Sequence, residues 1–138
     1  MASTGLNLIV VTPSAQLAEA QAQAVTVPTF NGDVQILPGH VGLVCELGTG
    51  ILHYGDGQKE EFMTVSGGVV EVNGDTVRIL ADRAELPGHV DEGRAREALK
   101  RAEERLKGLE KGTVDYDRAL RSARRAQARL EILERMKK

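Results

Sequence analysis

A chain of 138 residues with 41% hydrophobic side chains suits one packed domain with an appendage. Aromatics make up only 3% and Trp is absent, so any core must be aliphatic. The net charge of -2 argues against a dedicated nucleic-acid binder, and no apolar run approaches the ~18 residues that span a bilayer.

The distribution of charge says more than its total. Residues 1–88 carry three basic residues (Lys59, Arg78, Arg83) against ten acids, whereas residues 89–138 carry fifteen basic residues against ten acids. One half is therefore at -7 and the other at +5, which points to two units with different partners. The single cysteine, Cys45, excludes an internal disulfide and a cysteine-based zinc site and fits a reducing compartment. The start, MASTGLNLIVVTP, lacks a basic segment and a long apolar stretch, so no secretory signal is expected.

In chain order, Leu6 to Val11 reads as a short strand ended by Thr12-Pro13-Ser14. Val25-Thr26-Val27-Pro28 alternates, and Val34-Gln35-Ile36-Leu37 follows the turn pair Asn31-Gly32. Gly48-Thr49-Gly50 and Gly55-Asp56-Gly57 read as turns. Thr64-Val65 leads through Gly67-Gly68 into Val69-Val70-Glu71-Val72, and Asn73-Gly74 then turns into Thr76 to Leu80, a strong hairpin signal. Strands at this spacing predict an antiparallel β-sandwich or barrel over residues 1–86.

At Leu86-Pro87-Gly88 the apolar period changes from two to about three and a half. Ala95, Ala98, Leu99, Ala102, Leu106 and Leu109 share one helical face, with Asp91 as N-cap and Gly112 as terminator. Thr113 or Asp115 caps a second helix with the seam Tyr116, Ala119, Leu120, Ala123, Ala126, Leu130 and Leu133. The short connection predicts an antiparallel two-helix hairpin over residues 87–138. Its alanine seam buries little area, so the hairpin reads as a loosely held arm.

Two segments, Val25-Thr26-Val27-Pro28 through Ile36-Leu37-Pro38-Gly39-His40 and Val65-Ser66-Gly67-Gly68-Val69-Val70-Glu71-Val72, resemble the epsilon family of F-type ATP synthases. Leu43, Leu47 and the run Val77 to Glu85 add to this resemblance, which covers essentially the whole chain. One departure is Gly32-Asp33-Val34-Gln35, where family members often carry Gly-Glu-x-Gly.

The resemblance implies a non-catalytic rotor subunit in a complex that couples proton translocation to ATP synthesis. It would be peripheral on the cytoplasmic face of a bacterial inner membrane. The sandwich would bind the gamma subunit and the c-subunit ring, with Asn31, Gly32, Asp33, Pro38, Gly39 and His40 at those contacts. The arm would switch between a folded state and one extended among the alpha and beta subunits, inhibiting ATP hydrolysis. Arg118, Arg121, Arg124, Arg125 and Arg129 would then face an acidic segment of the beta subunit.

The family's nucleotide motif is matched by Val90-Asp91-Glu92-Gly93-Arg94-Ala95, with Val in place of Ile or Leu at the first position. Glu85, Arg101 and the pair in Arg125-Ala126-Gln127-Ala128-Arg129 complete the set, so ATP, with or without Mg, is implied as a regulatory ligand and no cofactor as a requirement. The spacing makes physical sense: Arg94 and Arg101 share one helix face and Arg125 and Arg129 another, and guanidinium forks suit phosphate oxygens.

The bland reading of these residues is an N-cap and solvated helix surface. His40, His53 and His89 lack metal spacing, Ser66 is in no nucleophile elbow, and Cys45 reads as a small core residue. Three other functions stay open: a stand-alone ATP-sensing or scaffold module, a small β-barrel enzyme lacking an assembled acid–base set, and a basic arm for nucleic acid. The last is disfavoured by interleaved acids and the missing stacking platform.

Overall fold

The computed structural model describes residues 5–39 and 42–137. His40, expected at a subunit contact, lies outside the described residues. The strands are β1 (Leu6–Val11), β2 (Gln16–Ala22), β3 (Ala24–Thr29), β4 (Gly32–Ile36), β5 (Leu43–Glu46), β6 (Thr49–Gly55), β7 (Glu60–Asn73) and β8 (Thr76–Glu85). A single 3-10 turn, Pro87–His89, leads to helices α1 (Glu92–Lys107) and α2 (Val114–Met136). The architecture is thus a β-sandwich followed by a two-helix arm. One strand pair departs from the antiparallel expectation: β1 runs parallel to β8.

The strand path β2-β1-β8-β7-β6-β3-β4, with β5 beside β7, folds over to make both layers. The first half of β7 pairs with β6 and the second half with β5, while β8 follows it along most of its length. The crossing between layers falls at Gly67-Gly68. Met63 and Val65 point into the core before it and Val70 and Val72 after it, so the alternation slips by one residue. Gly67 and Gly68 have φ of 74° and 122°, the left-handed region that glycine enters without steric cost. A Cβ on Gly68 would overlap the Leu80 carbonyl oxygen. Gly67-Gly68 is therefore a bend inside one fourteen-residue strand, not a break between strands.

Tertiary pairing overrode local signals elsewhere. Gln16–Ala22 is poor in β-branched residues yet forms β2, because β1 offers it a full antiparallel ladder. Thr49 and Gly50, read from sequence as part of a turn, open β6 and pair with Ser66 and Val65. Helix α1 stops at Lys107 rather than near Gly112; the Gly108 N–H turns back to the Arg105 and Leu106 carbonyls. Gly112, at φ 88°, instead shapes the connection to α2. Asp91 caps α1 through the Arg94 N–H, and Thr113, not Asp115, caps α2 through the Tyr116 N–H.

Helix α2 lies between two surfaces. Ala119, Ala123 and Ala126 are buried along its hairpin seam, as are Ala95 and Ala102 of α1. Ala128 and Ile132 are buried on a different stripe, four residues apart and rotated away from that seam. That second stripe meets β6 and β7, against which α2 packs. The docked helix explains why Thr64 and Ser66, on the outer face of β7, are buried. Both hydroxyls find partners: Ser66 shares a 2.8 Å hydrogen bond with Thr49, and Thr64 donates to the Glu85 carbonyl at 3.4 Å.

Candidate functional site

The end of β8 and the middle of α2 meet at a charged contact. Arg129 Nε donates to Glu85 Oε1 at 2.6 Å, and the two side chains are 29% and 32% exposed. Residues Thr64, Ser66, Arg83, Glu85, Arg125 and Arg129 are among those lining a cavity of about 10 Å³ here, room for about one water molecule. Arg125 donates to Ser122 Oγ at 3.0 Å, a bond to its own helix. Burial lowers the Arg125 pKa first, and the Arg83, Arg129 and Arg121 guanidinium groups lower it further. Positive charge is thus concentrated where solvent is partly excluded, the condition under which an anion is bound most effectively.

Of the six residues matched to the nucleotide motif, Glu85, Arg125 and Arg129 come together at this cavity. Arg94 and Arg101 stand on α1, with Asp91 just before it. Asp91 is occupied as a cap, accepting the Arg94 N–H at 2.9 Å, and Arg101 lies 4.0 Å from Glu97 on its own helix. Lys137 Nζ reaches Glu92 Oε1 at 3.6 Å, an exposed contact that joins the end of α2 to the start of α1 as the antiparallel hairpin brings them together. Arg118, Arg121 and Arg124 are exposed on α2.

The residues expected at gamma and c-ring contacts divide into two places. Phe30 and Asn31, rather than Asn31-Gly32, form the exposed β3–β4 turn, and Gly32 opens β4; Thr29 holds the turn, its hydroxyl donating to the Gly32 carbonyl at 2.6 Å and accepting the Asn31 N–H at 3.2 Å. Asp33 follows on β4, exposed, and Pro38 and Gly39 lie beyond the other end of that strand. Two large apolar side chains are exposed here, Phe30 within the first turn and Leu37 just before Pro38.

Several contributors were not apparent from sequence. Arg83 closes the charged cavity from the sandwich side, and Ala128 and Ile132 form the docking stripe. The Arg135 guanidinium sits 5.7 Å from the centre of the Phe62 ring. An apolar Ala128–Ile132 pair at i, i+4 on the side opposite the seam is the one sequence signal that a second buried face existed.

Other candidates fall away. His53 pairs with Glu60 at 3.5 Å and stacks obliquely on Phe62, which makes it part of the β6–β7 surface. Burial pushes the Cys45 thiol up, as suits a residue packed on the core. Among the described residues no group of three or more His, Cys, Asp or Glu is arranged to hold a metal ion, and no helix is long and apolar enough to cross a membrane.

Residues 5–87 match the family model for the ATP synthase delta/epsilon chain β-sandwich domain, and residues 89–134 match its long α-helix domain. The class is therefore that of the ATP synthase delta/epsilon chains. The ATP synthase epsilon chain of Alkalihalophilus pseudofirmus is 43% identical over 109 residues, 79% of this chain and 82% of that one. That of Brevibacillus brevis is 45% identical over 102 residues, 73% of this chain and 77% of the other. This chain belongs to the ATP synthase epsilon family, whose members are non-catalytic subunits of the complex. The fold also matches a chain in a cryo-EM structure of the Euglena gracilis mitochondrial ATP synthase (OSCP/F1/c-ring), with TM-score 0.80 at 22% identity over 94% of this chain and 81% of that one. A chain of the Tetrahymena thermophila mitochondrial ATP synthase central stalk and c-ring matches at TM-score 0.57 and 16% identity, over 96% of each chain.

Proposed function

We propose that this chain is a central-stalk rotor subunit whose sandwich binds the gamma subunit and the c-ring and whose arm regulates ATP hydrolysis. It would act peripherally on the cytoplasmic face of a bacterial inner membrane, within a complex coupling proton translocation to ATP synthesis. The exposed turns with Phe30, Asn31, Gly32 and Asp33, and with Leu37, Pro38 and Gly39, offer contact surface for the rotor partners. The exposed Arg118, Arg121 and Arg124, with Arg125 and Arg129, would meet an acidic segment of the beta subunit when the arm extends.

The single observation that carries the regulatory reading is the 2.6 Å Glu85–Arg129 contact, with Arg125 beside it. It ties the last strand of the sandwich to α2 in the folded state. ATP would add to that tie, its phosphates taken by Arg125 and Arg129 with Arg94 and Arg101 from α1, and Glu85 or Asp91 accepting from the adenine amino group or ribose. The 10 Å³ cavity is far too small for a nucleotide, so ATP would lie across its mouth and require Arg129 to reorient. Binding only the folded arm, ATP would favour that state by mass action.

Titration of the isolated chain with MgATP should shift the amides around Glu85, Asp91, Arg125 and Arg129. Unshifted amides at millimolar ATP would remove the nucleotide site. Separately, ATPase activity of the whole complex should rise when residues 89–138 are deleted. Unchanged activity would remove the inhibitory role while leaving the family membership intact.

A further inference from the structure

We propose that the groove between the sandwich and the first half of α2 is a site for a compact phosphate polyanion of the pyrophosphate class. The groove encloses about 790 Å³, within the range of small-molecule sites. Arg83, Glu46 and Asp82 line it from the sandwich, and Arg121, Arg124 and Arg125 from α2. The three helix arginines are spaced i, i+3 and i+4, which sets them on one face. Arg83 meets them from the last strand of the other body.

Among the described residues none of these four arginines forms an ion pair. Arg78, Arg96, Arg101, Arg129 and Arg135 each have a carboxylate within 4.0 Å. The like charges act on one another: Arg83 and Arg121 both disfavour the charged form of half-buried Arg125. Two acids, Glu46 and Asp82, line the groove but are not paired with any of the four. Four guanidinium groups around one concavity, outnumbering its two acids and paired with neither, gain most from a small, multiply charged anion. Phosphate oxygens match the guanidinium forks in spacing and direction.

The groove differs from the Glu85–Arg129 cavity. Arg83 and Arg125 stand between the two, whereas Arg121 and Arg124 line only the groove. The site also needs both bodies, so its anion would stabilise the docked arm through linkage. This consequence stands whether or not ATP binds at Glu85.

The test is titration of the full chain with inorganic pyrophosphate, followed through the arginine side-chain Nε–Hε signals. The resonances of Arg83, Arg121, Arg124 and Arg125 should move together, and affinity should fall as salt screens the charges. Arg121→Gln and Arg124→Gln lie on exposed helix surface, where Gln is a good helix former, so both variants should fold. Each should weaken pyrophosphate binding about tenfold, the loss of one charge-assisted hydrogen bond. The same variants titrated with ATP identify the source. Weaker ATP binding assigns the groove to a nucleotide's phosphate tail, and unchanged ATP binding assigns it to the free anion. Unmoved arginine signals, or variants that bind pyrophosphate as tightly as the parent chain, overturn the proposal.

Discussion

The two bodies of this chain bury different kinds of side chain. The sandwich encloses Leu6, Leu8, Val25, Ile36, Leu52, Met63, Val70 and Ile79, all essentially inaccessible to solvent. The buried residues of the hairpin are Ala95, Ala102, Ala119, Ala123, Ala126, Ala128 and one large side chain, Ile132. Apolar stabilisation scales with area removed from water, at ~25 cal/mol per Å². A core of leucine, isoleucine and valine therefore holds far more firmly than a seam of methyl groups. The difference teaches that the sandwich is the firmer body and the arm the more weakly held one. On the arm's side, the buried residues of the stripe that meets the sandwich are Ala128 and Ile132, with the Glu85–Arg129 pair beside them.

Four substitutions or conditions sharpen or break that contrast. The largest effect is expected for Leu52→Ala in the sandwich core, about 2–5 kcal/mol of global stability in urea unfolding. A loss below ~1 kcal/mol would mean that the sandwich is not the firm body. Ile132→Ala comes next, weakening arm docking by about 2–3 kcal/mol. Amide exchange should accelerate across residues 92–136 and stay unchanged across residues 6–85. Equal acceleration in both segments would show the two bodies to be one cooperative unit.

Glu85→Gln removes the charge facing Arg129, in a pair about one-third exposed. Solvent screening holds its effect to about 1 kcal/mol or less on docking, and the effect should vanish in high salt. Salt-independent loosening of the arm would contradict an electrostatic tie.

The smallest effect belongs to the β6–β7 turn of the sandwich. The backbone N–H groups of Lys59 and Gln58, each 2.9 Å from Asp56 Oδ1, lower the Asp56 pKa, Lys59 contributing most. A depressed carboxylate stabilises the fold above the unfolded aspartate value, ~3.9, and loses that contribution as pH falls through the folded value. A pH titration of the Asp56 carboxyl by NMR should therefore give a midpoint below the ordinary aspartate value, with no change in arm docking. A midpoint at or above it would remove the turn from the account.

Much of this was legible beforehand because it is written in local chemistry. The glycine signal placed the β7–β8 hairpin, with Gly74-Asp75 rather than Asn73-Gly74 as the turn pair; Asp91 gave the first helix cap, and the alanine seams the hairpin contact. Less legible were features set by partners far away in the chain. Strand β2 exists through its ladder to β1, and Gly67-Gly68 is a bend because the strands on either side continue in different layers. At the candidate site, helical spacing put Arg125 and Arg129 on one face. It did not show that Glu85 reaches Arg129 or that Arg83 joins them.

By itself, then, the sequence determined that there are two bodies of opposite charge, one β and one helical, and which residue types each would bury. Composition and period carry that information, since they act over a few residues. Which face of α2 meets the sandwich was decided only in three dimensions. The alanine seam is used up by α1, so Ala128 and Ile132 must find β6 and β7, and that choice brings Arg121, Arg124, Arg125 and Arg129 alongside Arg83 and Glu85. The charge was always present in the chain; the packing of one helix between two surfaces concentrates it.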